Sequence, residues 1–311
     1  MKSLPRGLWP VMLTPFDKSN HVDIAALKDL TQFYLGTGAA GLFANCLSSE
    51  MMQLSMEERL MVTKTVMETV QGKIPVIATG TFGSDLTASI EFSKKLHDIG
   101  VEAVVINTNQ FCTELDNDDV FKRQMNSFLE KSGNIPLGLY ECPDPYKRLM
   151  SPEMLQWLAQ SGRFLYHKDT CCDLHEIQKK ILVTENTPLG VYNAHVPTGV
   201  DSIRSGAQGL SPIAANFYPE LFSYQLKQLD AGNENDPLRR LNIALDIMDT
   251  VIHYNYPYSA KLFLQKRGMK IRADGRIPRL KMSVHNLRKL DLVMASFKEL
   301  SQTFEIETYT F

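Results

Sequence analysis

Short apolar runs alternate with amphipathic stretches along this chain. Leu8 to Leu13 reads as a strand broken at Pro10, and it leads into Thr14-Pro15-Phe16. Asp23 to Leu35 reads as a helix with Asp23 as N-cap. Gly41 to Ala44 is a second strand, and Ser55 to Val70 is a helix opened by a Ser55–Glu58 capping box. Ile74 to Ala78, rich in β-branched residues, is a third strand and runs into the glycine loop 79–83. The pattern continues with helix 85–99 closed by Gly100, strand 101–106, helix 118–131 and strand 136–140. Helix 151–161 carries Pro152 just inside its start. Strand 164–167, helix 173–182, strand 189–192, a short helix 196–204, strand 207–210 and helix 219–229 complete it.

Strands alternating with helices in this way predict a parallel α/β architecture, and eight such units predict a closed (β/α)8 TIM barrel. The competitor is an open doubly wound sheet, which is disfavoured because no G-x-G-x-x-G follows the first strand. Residues 231–237 are polar and turn-rich, so the barrel is placed over 1–230. Residues 231–311 form a C-terminal helical extension, with helices at Leu238 to Ile252, Tyr258 to Lys266 and Val284 to Leu300. This extension is expected to pack on the barrel or on another subunit.

Composition narrows the function classes. With 44% hydrophobic and 22% charged residues the chain reads as a folded soluble protein. Its formal charge of −2, without a basic block, argues against nucleic acid as a partner. No apolar run reaches transmembrane length, so no membrane association is expected. Met1 to Gly7 lacks a following apolar core and does not read as a signal peptide. The 5 cysteines are odd in number and include no C-x-x-C, which suits reduced thiols in a cytoplasm. The 7 histidines are scattered without H-E-x-x-H, so no metal or other cofactor is expected.

Barrel enzymes carry their chemistry at the C-terminal strand ends. The polar residues there are Thr14, Asn45 to Glu50, Thr79 to Thr81, Asn107 to Gln110, Tyr140 and Glu141, His167 to Asp169, Asn193 and His195, and Ser211. Lys168 is the lone lysine among them. A buried lysine is costly unless paired or neutralised, and a neutral amine is a nucleophile towards carbonyl carbon. A free lysine has a pKa of about 10.4, and burial lowers such values. The bland reading is an ion pair with the adjacent Asp169. Tyr140 lies one βα unit earlier, so both side chains should meet at one mouth, where a phenol can relay protons. Otherwise Tyr140 is a core aromatic. His167 should point to the opposite side of its strand, packed against a helix.

The chain resembles the dihydrodipicolinate synthase / N-acetylneuraminate lyase family of class I, Schiff-base-forming lyases over essentially its whole length. The resemblance rests on Leu13-Thr-Pro-Phe16, on Gly41 to Glu50 followed by Leu54 to Arg59, and on Leu139-Tyr-Glu-Cys-Pro143. Tyr166-His-Lys-Asp-Thr170, Asn255 to Lys261 and Ile277-Pro-Arg-Leu280 extend it. It implies that Lys168 forms an imine with pyruvate or another 2-oxo acid while Tyr140 shuttles protons. Ser48 and the Ser49 N–H would hold the substrate carboxylate, and a main-chain carbonyl near Leu210 would hold a proton or water. It also implies a homo-oligomer, tetramer or dimer.

Three departures modify this picture. The family's G-x-x-G-E loop reads Cys46-Leu-Ser-Ser-Glu50, so side chains stand where glycines allow close approach. Phe111 stands about where the synthase branch has a tyrosine, and Arg148 is shifted from the expected arginine. These changes point away from dihydrodipicolinate synthesis itself, towards an aldolase or dehydratase for a sugar-derived or other 2-oxo acid. The alternative is a non-catalytic 2-oxo acid binding or regulatory protein on the same barrel. Cys46, Cys142 and Cys171 read as small buried thiols.

Overall fold

The structure, a computed structural model, describes residues 1–83, 85–233, 235–278 and 282–311. Arg279 and Leu280 of the tail motif lie outside the described residues. In chain order the elements are β1 (Gly7–Leu8), α1 (Ile24–Gly36), β2 (Leu42–Ala44), α2 (Met56–Val70), β3 (Val76–Thr79) and α3 (Leu86–Ile99). Next come β4 (Ala103–Asn107), α4 (Asp118–Lys131), β5 (Leu137–Tyr140), α5 (Pro152–Ala159), β6 (Phe164–Asp169) and α6 (Leu174–Thr184). The series ends with β7 (Gly190–Asn193), α7 (Gly199–Arg204), β8 (Gly209–Leu210), α8 (Pro219–Asp230), α9 (Asp236–Ile252), α10 (Tyr258–Arg267) and α11 (Val284–Thr303). Strand and helix therefore alternate strictly from β1 to α8, as the apolar pattern predicts. Among the described residues no helix is long and apolar enough to cross a membrane.

The helix boundaries follow local chemistry. Ser55 accepts from the Glu58 N–H while the Glu58 carboxylate accepts from the Ser55 N–H, the reciprocal cap read in the sequence. Asp23, Asp85, Asn117, Ser151 and Asp173 likewise cap α1, α3, α4, α5 and α6. The first predicted strand is the main difference. Only Gly7–Leu8 is strand, and Val11 makes an isolated bridge to Phe43. Pro10 has no N–H to give the ladder, so it interrupts the strand, while its carbonyl still accepts from Phe43 N at 3.0 Å and Met12 N donates to Phe43 O at 2.9 Å.

Two compact units make up the chain: residues 1–6 with 75–211, and residues 7–74 with 212–311. The first unit holds β3 to β8, paired in sequence order and all parallel. Their register sets Asn107, Tyr140, Lys168, Tyr192 and Gly209 in one row across the sheet. Helices α3 to α7 belong to the same unit, and α4 packs Phe121 and Phe128 against Phe111. The second unit holds β1, β2, α1, α2 and α8 to α11. There α11 packs on α8, α9 and α10, and Phe33, Tyr309, Phe311 and the Arg267 guanidinium gather around one aromatic cluster.

Candidate active site

Side chains alternate faces along a strand, so the β6 run Tyr166-His-Lys-Asp169 splits two ways. Tyr166 and Lys168 share one face, His167 and Asp169 the other. On the first face Lys168 is 3% exposed and Tyr140 4% exposed. They are direct register partners, and Lys168 Nζ lies 4.7 Å from the centre of the Tyr140 ring. Beneath them Tyr166 stacks on Tyr192 at 4.3 Å and donates to Ser211 Oγ at 2.9 Å. Gly138 makes room there, because a Cβ would stand 3.2 Å from the Tyr166 Cβ. Cys142 is buried beside the pair; burial pushes its thiol up to about 11 although Lys168 pulls it the other way.

The second face explains why the adjacent Asp169 is not left to Lys168. Asp169 Oδ2 receives Lys180 Nζ of α6 at 2.5 Å, and Glu141 Oε1 receives the same ammonium at 2.6 Å. His167 Nε2 stands 3.4 Å from Glu141 and 3.7 Å from Asp169. All four side chains are buried. Glu141 also accepts from Met150 N at 2.9 Å and Thr170 N at 2.7 Å, and its own carbonyl accepts from Thr170 Oγ1 at 2.8 Å. One carboxylate thus stitches the end of β5 to the end of β6, directly behind Tyr140 and Lys168. Burial works against the Lys180 ammonium, but Glu141 and Asp169 outweigh it and hold its pKa above the usual range. Burial likewise opposes the His167 imidazolium, and the two carboxylates again prevail and raise it. Asp169 is held well below the ordinary carboxylate range by His167 and Lys180 despite its burial.

Glu141, His167 and Asp169 have the donor set and spacing of a metal site. The Lys180 ammonium already sits in hydrogen-bond contact with both carboxylates, so an internal cation supplies the charge a metal would bring. Lys180 lies in α6, away from the strand ends, and so is not among the sequence candidates. The signal was there: α6 buries Ile177, Lys180, Ile181 and Thr184, a helical stripe with a lysine at an apolar position.

In the second unit the loop after β2 folds as two short 3-10 turns, Leu47–Ser49 and Met51–Gln53, joined by Glu50 at φ 56°. Ser48 and Ser49 are buried. The Ser49 hydroxyl donates to Cys46 O at 2.6 Å and its N–H to the same oxygen at 3.0 Å. The Tyr256 hydroxyl accepts from Asn216 Nδ2 at 2.6 Å, and burial raises its pKa while Ser48 pulls it the other way. Glu50 anchors the loop. It accepts from Lys261 Nζ at 2.8 Å, Arg276 N at 2.6 Å and Ile277 N at 2.9 Å. The Arg276 guanidinium holds Glu58 with two bonds of 2.5 and 2.6 Å.

The remaining strand-end residues are mostly committed to structure. Arg148 donates to Asp116 O at 3.0 Å and Asp118 at 2.6 Å, and Asn109 Nδ2 donates to three carbonyls of the 142–146 loop. Asn193 Nδ2 is spent on Thr198 and Ser202, and His195 Nδ1 lies 3.1 Å from Thr198 Oγ1. Leu210 is buried at the end of β8, in register with Asn193.

Residues 4–296 match the dihydrodipicolinate synthetase family. The 4-hydroxy-tetrahydrodipicolinate synthase of Oceanobacillus iheyensis is 23% identical over 287 residues, 92% of this chain and 95% of that protein. Among solved structures, a catalytic-lysine mutant of the Ruminococcus gnavus sialic acid aldolase superposes with a TM-score of 0.87 at 18% identity, covering 98% of this chain and 100% of its own. The pyruvate complex of the chloride-inhibited Acinetobacter baumannii dihydrodipicolinate synthase gives 0.83 at 22% identity, over 95% and 99%. These likenesses show the fold, a (β/α)8 barrel with a C-terminal helical extension. The chain belongs to the dihydrodipicolinate synthetase family, whose members are class I lyases working through a lysine Schiff base.

Proposed function

We propose that this chain is an aldolase or dehydratase for pyruvate or another 2-oxo acid, with Lys168 as the imine-forming amine and Tyr140 as the proton carrier. The observation that carries the reading is the buried, in-register contact of the Lys168 amine with the Tyr140 ring. The neutral amine attacks the keto carbon, and the resulting carbinolamine loses its hydroxyl as water with a proton from Tyr140. The protonated imine then accepts an electron pair. In aldol cleavage that pair comes from the C3–C4 bond as the C4 hydroxyl gives its proton to the Tyr140 phenolate and leaves as a carbonyl. In dehydration it comes from the C3–H bond, whose proton passes to the Tyr140 phenolate and from there to the hydroxide leaving C4, which departs as water. Ser48 holds the substrate carboxylate, Ser49 contributes its N–H by sharing it with Cys46 O, and the carbonyl near Leu210 holds a proton or water. The altered 46–50 loop and the packing of Phe111 against α4 support a substrate other than that of dihydrodipicolinate synthesis.

Incubation with pyruvate or a panel of 2-oxo acids followed by borohydride is expected to add mass irreversibly to Lys168. The adduct should vanish in Lys168→Ala and form at least tenfold more slowly in Tyr140→Phe. A raised melting temperature with the same acids but no adduct from any of them would replace the enzyme with the binding-protein reading.

A further inference from the structure

The row that carries Tyr140 and Lys168 begins with Asn107, at the end of β4. Asn107 is 0% exposed, yet neither Oδ1 nor Nδ2 has a hydrogen-bond partner among the described residues. Its backbone is fixed independently, because Asn107 N donates to Thr81 Oγ1 at 3.0 Å. Thr79, at the end of β3 and also 0% exposed, has an equally unpartnered Oγ1. Thr79 pairs with Val105, which places it diagonally from Asn107 on the same face of the sheet. That is the Lys168 face: Val105 Cγ2 and the Tyr166 Cβ both crowd the position of a Cβ on Gly138.

Two adjacent buried polar side chains with nothing to bond are rare in folded proteins, and such groups are normally satisfied by something that enters. Elsewhere at the strand ends of this unit, Asn109 and Asn193 spend their amides on neighbouring loops. Asn107 is not used in that way. An amide offers donors and acceptors together, and threonine adds a hydroxyl of both kinds. A carboxylate or phosphate would leave the Asn107 oxygen facing negative charge. A hydroxyl group, which gives one hydrogen bond and takes others, fits both side chains.

We infer that Asn107, assisted by Thr79, is a substrate-contacting specificity residue that holds a hydroxyl group of the 2-oxo acid beyond its keto carbon. The inference rests on the lysine-imine reading for the position of the keto group, and it selects hydroxylated 2-oxo acids over plain pyruvate. Removing a hydrogen-bonding partner that is used only by the substrate leaves the free protein intact, whereas removing a structural partner does not.

The test compares wild type, Asn107→Leu and Thr79→Val, with pyruvate and a 4-hydroxy-2-oxo acid as probes. Two readouts are taken: the rate of borohydride-trapped adduct formation, and the ligand-induced rise in melting temperature, which does not require an imine. Wild type is expected to favour the hydroxylated acid roughly tenfold. Asn107→Leu should abolish that preference, leave the pyruvate response unchanged and leave the ligand-free melting temperature equal or higher. Thr79→Val should act in the same direction by less. An unchanged preference in both variants overturns the assignment, as does a variant that loses stability without losing preference. Absence of any trapped adduct in wild type would sink the imine reading separately, while the melting shifts still decide the role of Asn107.

Discussion

Two buried glutamates in this chain are satisfied in almost the same way. Glu50 receives one lysine ammonium and two backbone N–H groups, from Lys261, Arg276 and Ile277. Glu141 receives one lysine ammonium and two backbone N–H groups, from Lys180, Met150 and Thr170. The difference lies in what else shares the lysine. Lys261 faces one carboxylate and the Asp274 carbonyl, at 3.3 Å. Lys180 faces two carboxylates, with His167 as the neighbouring base. The charges answer accordingly: burial wins at Lys261 and lowers its pKa, while the doubled negative charge raises that of Lys180. A hydrogen-bond pattern alone therefore does not tell whether a buried ion pair is balanced; the count of charges does.

The largest test of that difference is to delete each lysine. Lys180→Met leaves two buried carboxylates facing one another and should cost about 3–5 kcal/mol of stability, the usual result of stranding a buried charge. Lys261→Met strands one carboxylate that keeps both backbone donors, and about 1–3 kcal/mol is expected. Urea unfolding of both variants at neutral pH measures the two losses. Equal losses would mean that Asp169 adds no burden of charge to its site.

A second test separates the backbone donors. Gly275 lies against Glu50 so closely that a Cβ would meet its Oε1 at 2.2 Å. Gly275→Ala must push the 275–277 segment off the carboxylate and should cost about 1–3 kcal/mol through overpacking. Thr170→Ala, at the other glutamate, removes a hydroxyl bonded to Glu141 O but keeps the Thr170 N–H, and about 1 kcal/mol is expected. Denaturation midpoints with unchanged slopes would establish both figures.

Much of this could be read from sequence, and the failures have physical reasons. Capping residues such as Ser55, Asn117 and Asp173 announce themselves locally, so helix limits fell within one or two turns of the observed ones. Lys168 and Tyr140 were legible because strand alternation and one βα unit of spacing fix their common face. The use made of Glu141 was not. In the sequence it is one more polar strand-end residue, yet its partners come from positions 150, 170 and 180, on three different segments. Register between distant strands decides such meetings, and a single chain of letters carries no register. Asn107 was visible as a strand-end amide, but its lack of partners is a property of the folded neighbourhood alone.

The smallest effect, and the one most specific to the unequal charge count, is the slope of stability with pH. His167 has a folded pKa raised above its unfolded value of about 6.5. Its imidazolium, facing Glu141, Asp169 and Lys180, therefore contributes fully below about pH 6.5, and the contribution is lost as pH rises through the folded value. The stability gap between wild type and His167→Gln should shrink from pH 6 to pH 9. At Lys261 the folded pKa is lowered, so the unfolded chain binds more protons once that value is passed. The gap between wild type and Lys261→Met should consequently widen as pH approaches about 10.4. Chemical denaturation across this range reads both gaps. A His167 gap that stays flat would mean that the histidine beside Glu141 is neutral throughout, and two slopes of the same sign would mean that the two glutamates sit in equivalent electrostatic surroundings after all.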